Sequence, residues 1–179
     1  MRILKGVEGS VLWLLKDNPW VVENLEKEAE KQGIDAKRLV FADRISFPEH
    51  LARHHQADLF LDTFPCNAHT TTSDALWTGL PILTLMGDSF PSRVAASLLN
   101  AVHLPELITT THEDYVQLAI ELAGDAQKLS KLKQRLKENL LNTPLFNTPL
   151  FVSHLENAYI QMHQRYQSNL PFDHIYIQD

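Results

Sequence analysis

Residues 57–77 read ADLFLDTFPCNAHTTTSDALW, and their pattern is a strand, a turn and the entrance to a helix. Leu59, Phe60 and Leu61 form an unbroken apolar run of the kind shown by a strand covered on both faces. A turn at Pro65–Ala68 follows. Then come four hydroxyl residues, Thr70, Thr71, Thr72 and Ser73, ahead of a helical pattern over Asp74–Trp77. The first amides of a helix lack a carbonyl partner within it, and the aligned peptide dipoles add partial positive charge there, so such an end suits a phosphate. His69 stands beside these donors, and Asp74, read as lying in the first turn, is placed to accept from the two hydroxyls of a ribose. A second reading stands next to this one: Thr72 or Ser73 simply caps the helix.

Outward from this centre, strand and helix signals alternate. Val11–Leu15 reads as a buried strand, Asn18-Pro19 as a cap with proline in the first helical position, and Gly33 as the stop of that helix. Leu39–Phe41 is a further strand, followed by a loop and a short helical segment carrying His50, Arg53, His54 and His55. Beyond Trp77, Ile82–Leu85 reads as a strand, Pro91–Leu99 as a helix and Leu107–Thr109 as a last short strand. This alternation predicts an α/β fold, Rossmann-like, with a mostly parallel sheet flanked by helices on both faces. Ligands in such sheets sit beyond the carboxyl ends of the strands, where the His50 and His69 loops both fall.

The remainder is helical. Thr111 with Asp114 resembles a capping box, Gly124 closes that helix, and Asp125 caps the next. The pentapeptide Asn-Thr-Pro-Leu-Phe occurs at 142–146 and again at 147–151, and its second copy starts a final helix with an apolar stripe of Phe151, Leu155, Tyr159, Met162 and Tyr166. The division expected is residues 1–147 as the Rossmann-like domain and 148–179 as a helix and tail packing back on it.

Composition narrows the partners. A net charge of −6 over 179 residues supplies no basic face for nucleic acid. No run approaches a membrane span, and the apolar run before Lys16 is too short for a signal peptide. A single cysteine, Cys66, excludes an internal disulfide and fits a reducing compartment, so a cytoplasmic location is expected. His50 and His54 share a helical spacing with zinc ligands but lack the intervening glutamate of a zinc hydrolase, and no metal is expected. Cys66 with His69 makes a conceivable thiol–imidazole pair without a third orienting group. Neither GxGxxG nor GxxxxGK[ST] occurs, so a dinucleotide dehydrogenase or a P-loop ATPase is disfavoured. Arg93 is in reach of an anion or, more simply, of a surface partner.

The segments Cys66–Trp77, Gly79-Leu80-Pro81 and Ser92–Ser97 closely resemble the catalytic region of O-linked N-acetylglucosamine transferases, and the likeness runs from Gly9–Leu15 to the last helix. The resemblance implies the C-terminal, UDP-binding half of a GT-B glycosyltransferase, which transfers N-acetylglucosamine from UDP-GlcNAc to protein serine or threonine hydroxyls with inversion and without a cofactor or metal. It puts His69, Thr70 and Thr71 on the diphosphate, Cys66 near the donor sugar, Asp74 on the ribose, and His50, Arg53 and the main chain of Ile45 at the uracil. Phe47 departs from the pattern, standing where animal members carry a lysine directed at the ribose. The resemblance further implies that an N-terminal domain, a helical-repeat array that recruits protein acceptors, and a central first strand lie outside these residues. The chain is therefore expected to be a fragment that does not transfer sugar alone, with no catalytic residue assigned in this half. The alternatives are a GDP-fucose-dependent protein O-fucosyltransferase and a non-catalytic nucleotide-binding or packing module.

Overall fold

The computed structural model describes residues 1–177. In chain order, α1 (Arg2–Gly6) precedes β1 (Leu12–Leu15), α2 (Pro19–Lys31), β2 (Leu39–Ala42) and α3 (Phe47–Arg53). Then come β3 (Phe60–Leu61), α4 (Thr70–Trp77), β4 (Ile82–Leu85), α5 (Val94–Ala101) and β5 (Ile108–Thr109). The helices α6 (His112–Gly124), α7 (Ala126–Asn142) and α8 (Thr148–Gln167) complete the chain.

The boundaries follow from local chemistry. Asn18 Oδ1 accepts from the Val21 amide at 2.9 Å, with Pro19 in the first turn of α2. Thr111, Asp125 and Asn147 cap α6, α7 and α8 in the same way. Gly79 adopts φ +81°, which is strained for any side-chain-bearing residue, and this lets the chain turn from α4 straight into β4. The helix after β4 starts later than its sequence pattern: Phe90–Ser92 form a 3₁₀ turn with Pro91 inside it, and α5 begins at Val94.

Every strand pairing is parallel, as the alternation of elements requires. β1 pairs with β2 in the register Leu12 with Leu39 through Leu15 with Ala42, and β4 lies between β3 and β5. Among the described residues the two ladders exchange no strand pairing, so β1 and β3 are each paired on one edge only. That corrects two expectations about burial. β3 is half-buried rather than covered on both faces, and β1 is half-buried with Leu15 exposed. The strand that is covered throughout is β4, whose four residues are all buried among α4, α5 and α6.

The main core forms around β4, with Leu76 and Leu80 from the α4 end, Leu99 from α5, Leu122 from α6, and Leu132 and Leu136 from α7. A smaller cluster of Leu4, Ala29, Ile34 and Leu39 supports the β1–β2 ladder. The turn Pro144–Phe146 sets the Phe146 ring edge-on to Trp77, 5.1 Å between centroids, which ties the end of α7 to α4. α8 has no buried residue, and its stripe of Phe151, Leu155, Tyr159, Met162 and Tyr166 lies open, in contrast to the expected packing back on the domain. No helix among the described residues is long and apolar enough to cross a membrane.

This distribution of burial predicts opposite outcomes for two truncations. Leu83→Ala in β4 should cost about 2–5 kcal/mol, whereas Tyr166→Ala on the open face of α8 should stay within about 0.5 kcal/mol of the parent. Urea denaturation followed by circular dichroism measures both.

Candidate functional site

The carboxyl end of β3 delivers the chain directly to the amino end of α4. α4 starts at Thr70, four residues earlier than the apolar pattern indicates, because the Thr72 side chain is buried and its Oγ1 donates to the Ala68 carbonyl at 2.7 Å. Asp74 consequently sits in the second turn rather than the first. The capping reading fails: His69 is the N-cap residue, no side chain caps the helix, and neither Thr72 nor Ser73 stands at its boundary. The amides of Thr72 and Ser73 both reach the His69 carbonyl, at 3.1 and 3.2 Å. Those of Thr70 and Thr71 find no acceptor among the described residues. His69, Thr70 and Thr71 are all exposed. The sequence thus builds a bare helix N-terminus with two hydroxyls and an imidazole around it, a ready anion site.

The turn leading there is held from below by Asp62, 6% exposed. One carboxylate oxygen accepts from the amides of Thr63 at 2.8 Å and Ala68 at 2.7 Å; the other accepts from the Thr84 hydroxyl at 2.6 Å. Burial pushes the Asp62 carboxyl above the usual carboxylate range, against the pull of these three bonds. On the far side of the turn, Asn67 Nδ2 donates to the Thr63 carbonyl at 2.9 Å, and the Asn67 amide donates to the Pro91 carbonyl at 2.8 Å. The Thr63 hydroxyl donates to the Cys66 carbonyl at 2.6 Å, and Cys66 itself is exposed at the surface of the turn. Neither Asp62 nor Asn67 stood out in the sequence; a carboxylate immediately after the apolar run of β3, with seven residues between it and α4, was the one signal pointing to Asp62.

The second loop gathers the other predicted residues. Ile45 is exposed in the segment after β2, and Phe47 is exposed at the first position of α3. The Arg53 guanidinium lies over the Trp13 ring, 5.6 Å from its centroid, and donates to the Asp43 carbonyl at 3.0 Å. Its Nε donates to His50 Nδ1 at 3.1 Å. A neutral imidazole that accepts at Nδ1 carries its proton on Nε2, so Arg53 fixes His50 as a donor at Nε2. The His50 ring packs edge-on against His54, 4.6 Å between centroids. His54 in turn lies 3.3 Å from the Thr78 hydroxyl, and since that hydroxyl donates to the Ala75 carbonyl at 2.8 Å, His54 Nδ1 is the donor. His54 thereby joins α3 to the end of α4 and sits within electrostatic reach of Asp74. The structure brings His50 and Arg53 into contact and sets His69, Thr70 and Thr71 together at the amino end of α4, while His54 ties the first set to the carboxyl end of that helix at Thr78. Arg93 is spent on the Gly87 carbonyl at 2.9 Å rather than held free for an anion. Among the described residues no three His, Cys, Asp or Glu side chains converge as a metal site would require.

Comparison with known proteins identifies the family and the fold. The model of Glycosyl transferase family 41 matches residues 1–155. The chain is 38% identical over 175 residues to the UDP-N-acetylglucosamine–peptide N-acetylglucosaminyltransferase of Caenorhabditis elegans, a match covering 98% of this chain and 15% of that protein. It superimposes on a lysine-to-methionine mutant of the Thermobaculum terrenum O-GlcNAc transferase with a TM-score of 0.84 and 30% identity, covering 90% of this chain and 32% of that one. The chain thus spans a minor part of the length of each.

The surroundings of His54 predict a folding stability that depends on pH. Burial first, then the neighbouring His50, lowers its pKa below the ordinary value, with Arg53 and His55 acting the same way and Asp74 opposing. The unfolded chain takes up a proton near pH of about 6.5 that the folded chain still resists. The stability tied to neutral His54 is therefore complete above that pH and is lost as pH falls from there toward the lowered folded value. Urea midpoints at neutral and mildly acidic pH should fall more steeply for the parent than for His54→Gln, and equal slopes would remove His54 as the cause.

Proposed function

The chain belongs to glycosyltransferase family 41, and from that premise we propose that it holds the sugar-nucleotide donor for transfer of N-acetylglucosamine to protein hydroxyls. The observation that carries this reading is the exposed, uncapped start of α4 at the carboxyl end of β3. In this reading the diphosphate of UDP-GlcNAc sits on the amides and hydroxyls of Thr70 and Thr71 beside His69. Asp74 takes the ribose hydroxyls one turn along. The Nε2–H that Arg53 imposes on His50 supplies a donor for a uracil carbonyl, with the Ile45 main chain at its edge, and Cys66 lies toward the donor sugar.

The chemistry is a displacement at the anomeric carbon. A serine or threonine hydroxyl attacks from the face opposite the diphosphate, the glycosidic bond to phosphate breaks, and UDP departs with the bonding electrons, giving inversion. Negative charge grows on the leaving diphosphate, and prealigned amides at a helix end stabilise it more in the transition state than in the ground state. No metal or cofactor is needed for that stabilisation. Engagement and deprotonation of the acceptor are assigned to protein beyond these residues, in a cytoplasmic setting, and nucleic acid is not a partner.

Calorimetric titration tests the assignment. UDP should bind and GDP should not, and Asp74→Ala should weaken UDP by about tenfold or more, the scale of a lost buried or charged hydrogen-bond pair. Tighter binding of GDP would instead favour a fucosyl donor. Binding of neither would leave a packing module.

A further inference from the structure

A buried polar chain runs across the carboxyl ends of β5, β4 and β3 and ends on the turn before α4. Thr109 Oγ1 donates to the Thr84 carbonyl at 2.9 Å, the Thr84 hydroxyl donates to Asp62, and Asp62 accepts the Ala68 amide two residues ahead of Thr70. From the other side the Tyr115 hydroxyl of α6 donates to the Asp62 carbonyl at 2.9 Å. Burial raises that phenol's pKa, which keeps it a donor. Thr84 and Thr109 are both buried, so water does not compete for these bonds.

A carboxylate with this little exposure is a costly way to hold a turn, since a backbone carbonyl or an amide side chain would serve with less desolvation. What the carboxylate provides is two amides, Thr63 and Ala68, accepted by a single oxygen while the other is locked by Thr84. The separation between the end of β3 and the start of α4 is thereby fixed at both ends of the turn. We propose that Asp62 is a positioning residue for donor binding: it acts through the 63–68 turn to set where the free Thr70 and Thr71 amides stand relative to the strand ends. The inference rests on the donor-binding reading above, and it makes a claim that reading does not. Asp62 governs the diphosphate contact without touching the ligand, and leaves the nucleoside contact at His50, Arg53 and Asp74 alone.

Affinities of the chain for UDP and for uridine, which lacks the phosphates, separate positioning from general support. Asp62→Ala should weaken UDP by about tenfold, in line with two part-buried amides losing a charged acceptor, and should leave uridine affinity unchanged. Asp62→Asn keeps an oxygen for both amides and turns its amino group to the Thr84 hydroxyl, so it should bind UDP within about twofold of the parent. Equal loss of UDP and uridine in Asp62→Ala, or a loss in Asp62→Asn matching that of Asp62→Ala, would overturn the proposal. If Asp62→Ala does not fold, Thr84→Val, which releases only the second oxygen, should weaken UDP selectively by about two- to threefold, and unchanged UDP affinity would overturn it. A parent chain that binds no UDP would instead contradict the donor reading itself, whatever the variants do.

Discussion

The amide of Ala68 donates to a carboxylate that is almost wholly removed from water, and the turn that leads into the first residues of α4 is held by that bond, while the body of the helix is held in the core by Ala75 and Leu76. Taking Asp62 out of solvent is unfavourable, and hydrogen bonds to an ionised acceptor are among the few interactions strong enough to offset it. Three of them converge here, two from the turn and one from β4. Two residues further on, the amides of Thr70 and Thr71 have no acceptor among the described residues. One short stretch thus carries both the bonds that hold the turn and the unsatisfied donors that make it a site.

That arrangement needs a rigid base, and β4 supplies it. Its four residues are buried, and the leucines of α4, α5, α6 and α7 close around it, so Thr84 has no freedom to leave Asp62. The β1–β2 ladder rests on a much smaller cluster, and it carries the loop with Ile45, His50 and Arg53. Arg53 compensates by bracing that loop against Trp13 of β1 and the Asp43 carbonyl. Ion pairs such as Lys27–Glu23 and Arg44–Asp17 lie at the surface and add little.

Much of this was legible in the sequence because it depends on local signals. Asn18-Pro19, Thr111 and Asp125 cap the helices they were expected to cap, and the alternation of apolar runs with helical patterns gave a parallel α/β fold. The start of α4 was misread because threonines are weak helix formers and read as loop; a tertiary context that buries Thr72 and satisfies its hydroxyl overrides that preference. The burial of β3 was overestimated because an apolar run does not reveal whether a strand has one neighbour or two. Asp62 and Asn67 were missed for a different reason. Their importance lies in which backbone groups they reach across the turn, the Thr63 and Ala68 amides for Asp62 and the Thr63 carbonyl for Asn67, and spacing alone does not show that.

The central claim is that the donor's diphosphate sits on the amides that begin α4. Titrating UDP into the isotope-labelled chain and following backbone amide resonances by NMR tests it directly. Saturable shifts should be largest at His69, Thr70 and Thr71, with smaller ones at Asp74 and His50. Saturable shifts centred elsewhere, with the start of α4 unmoved, would contradict the account.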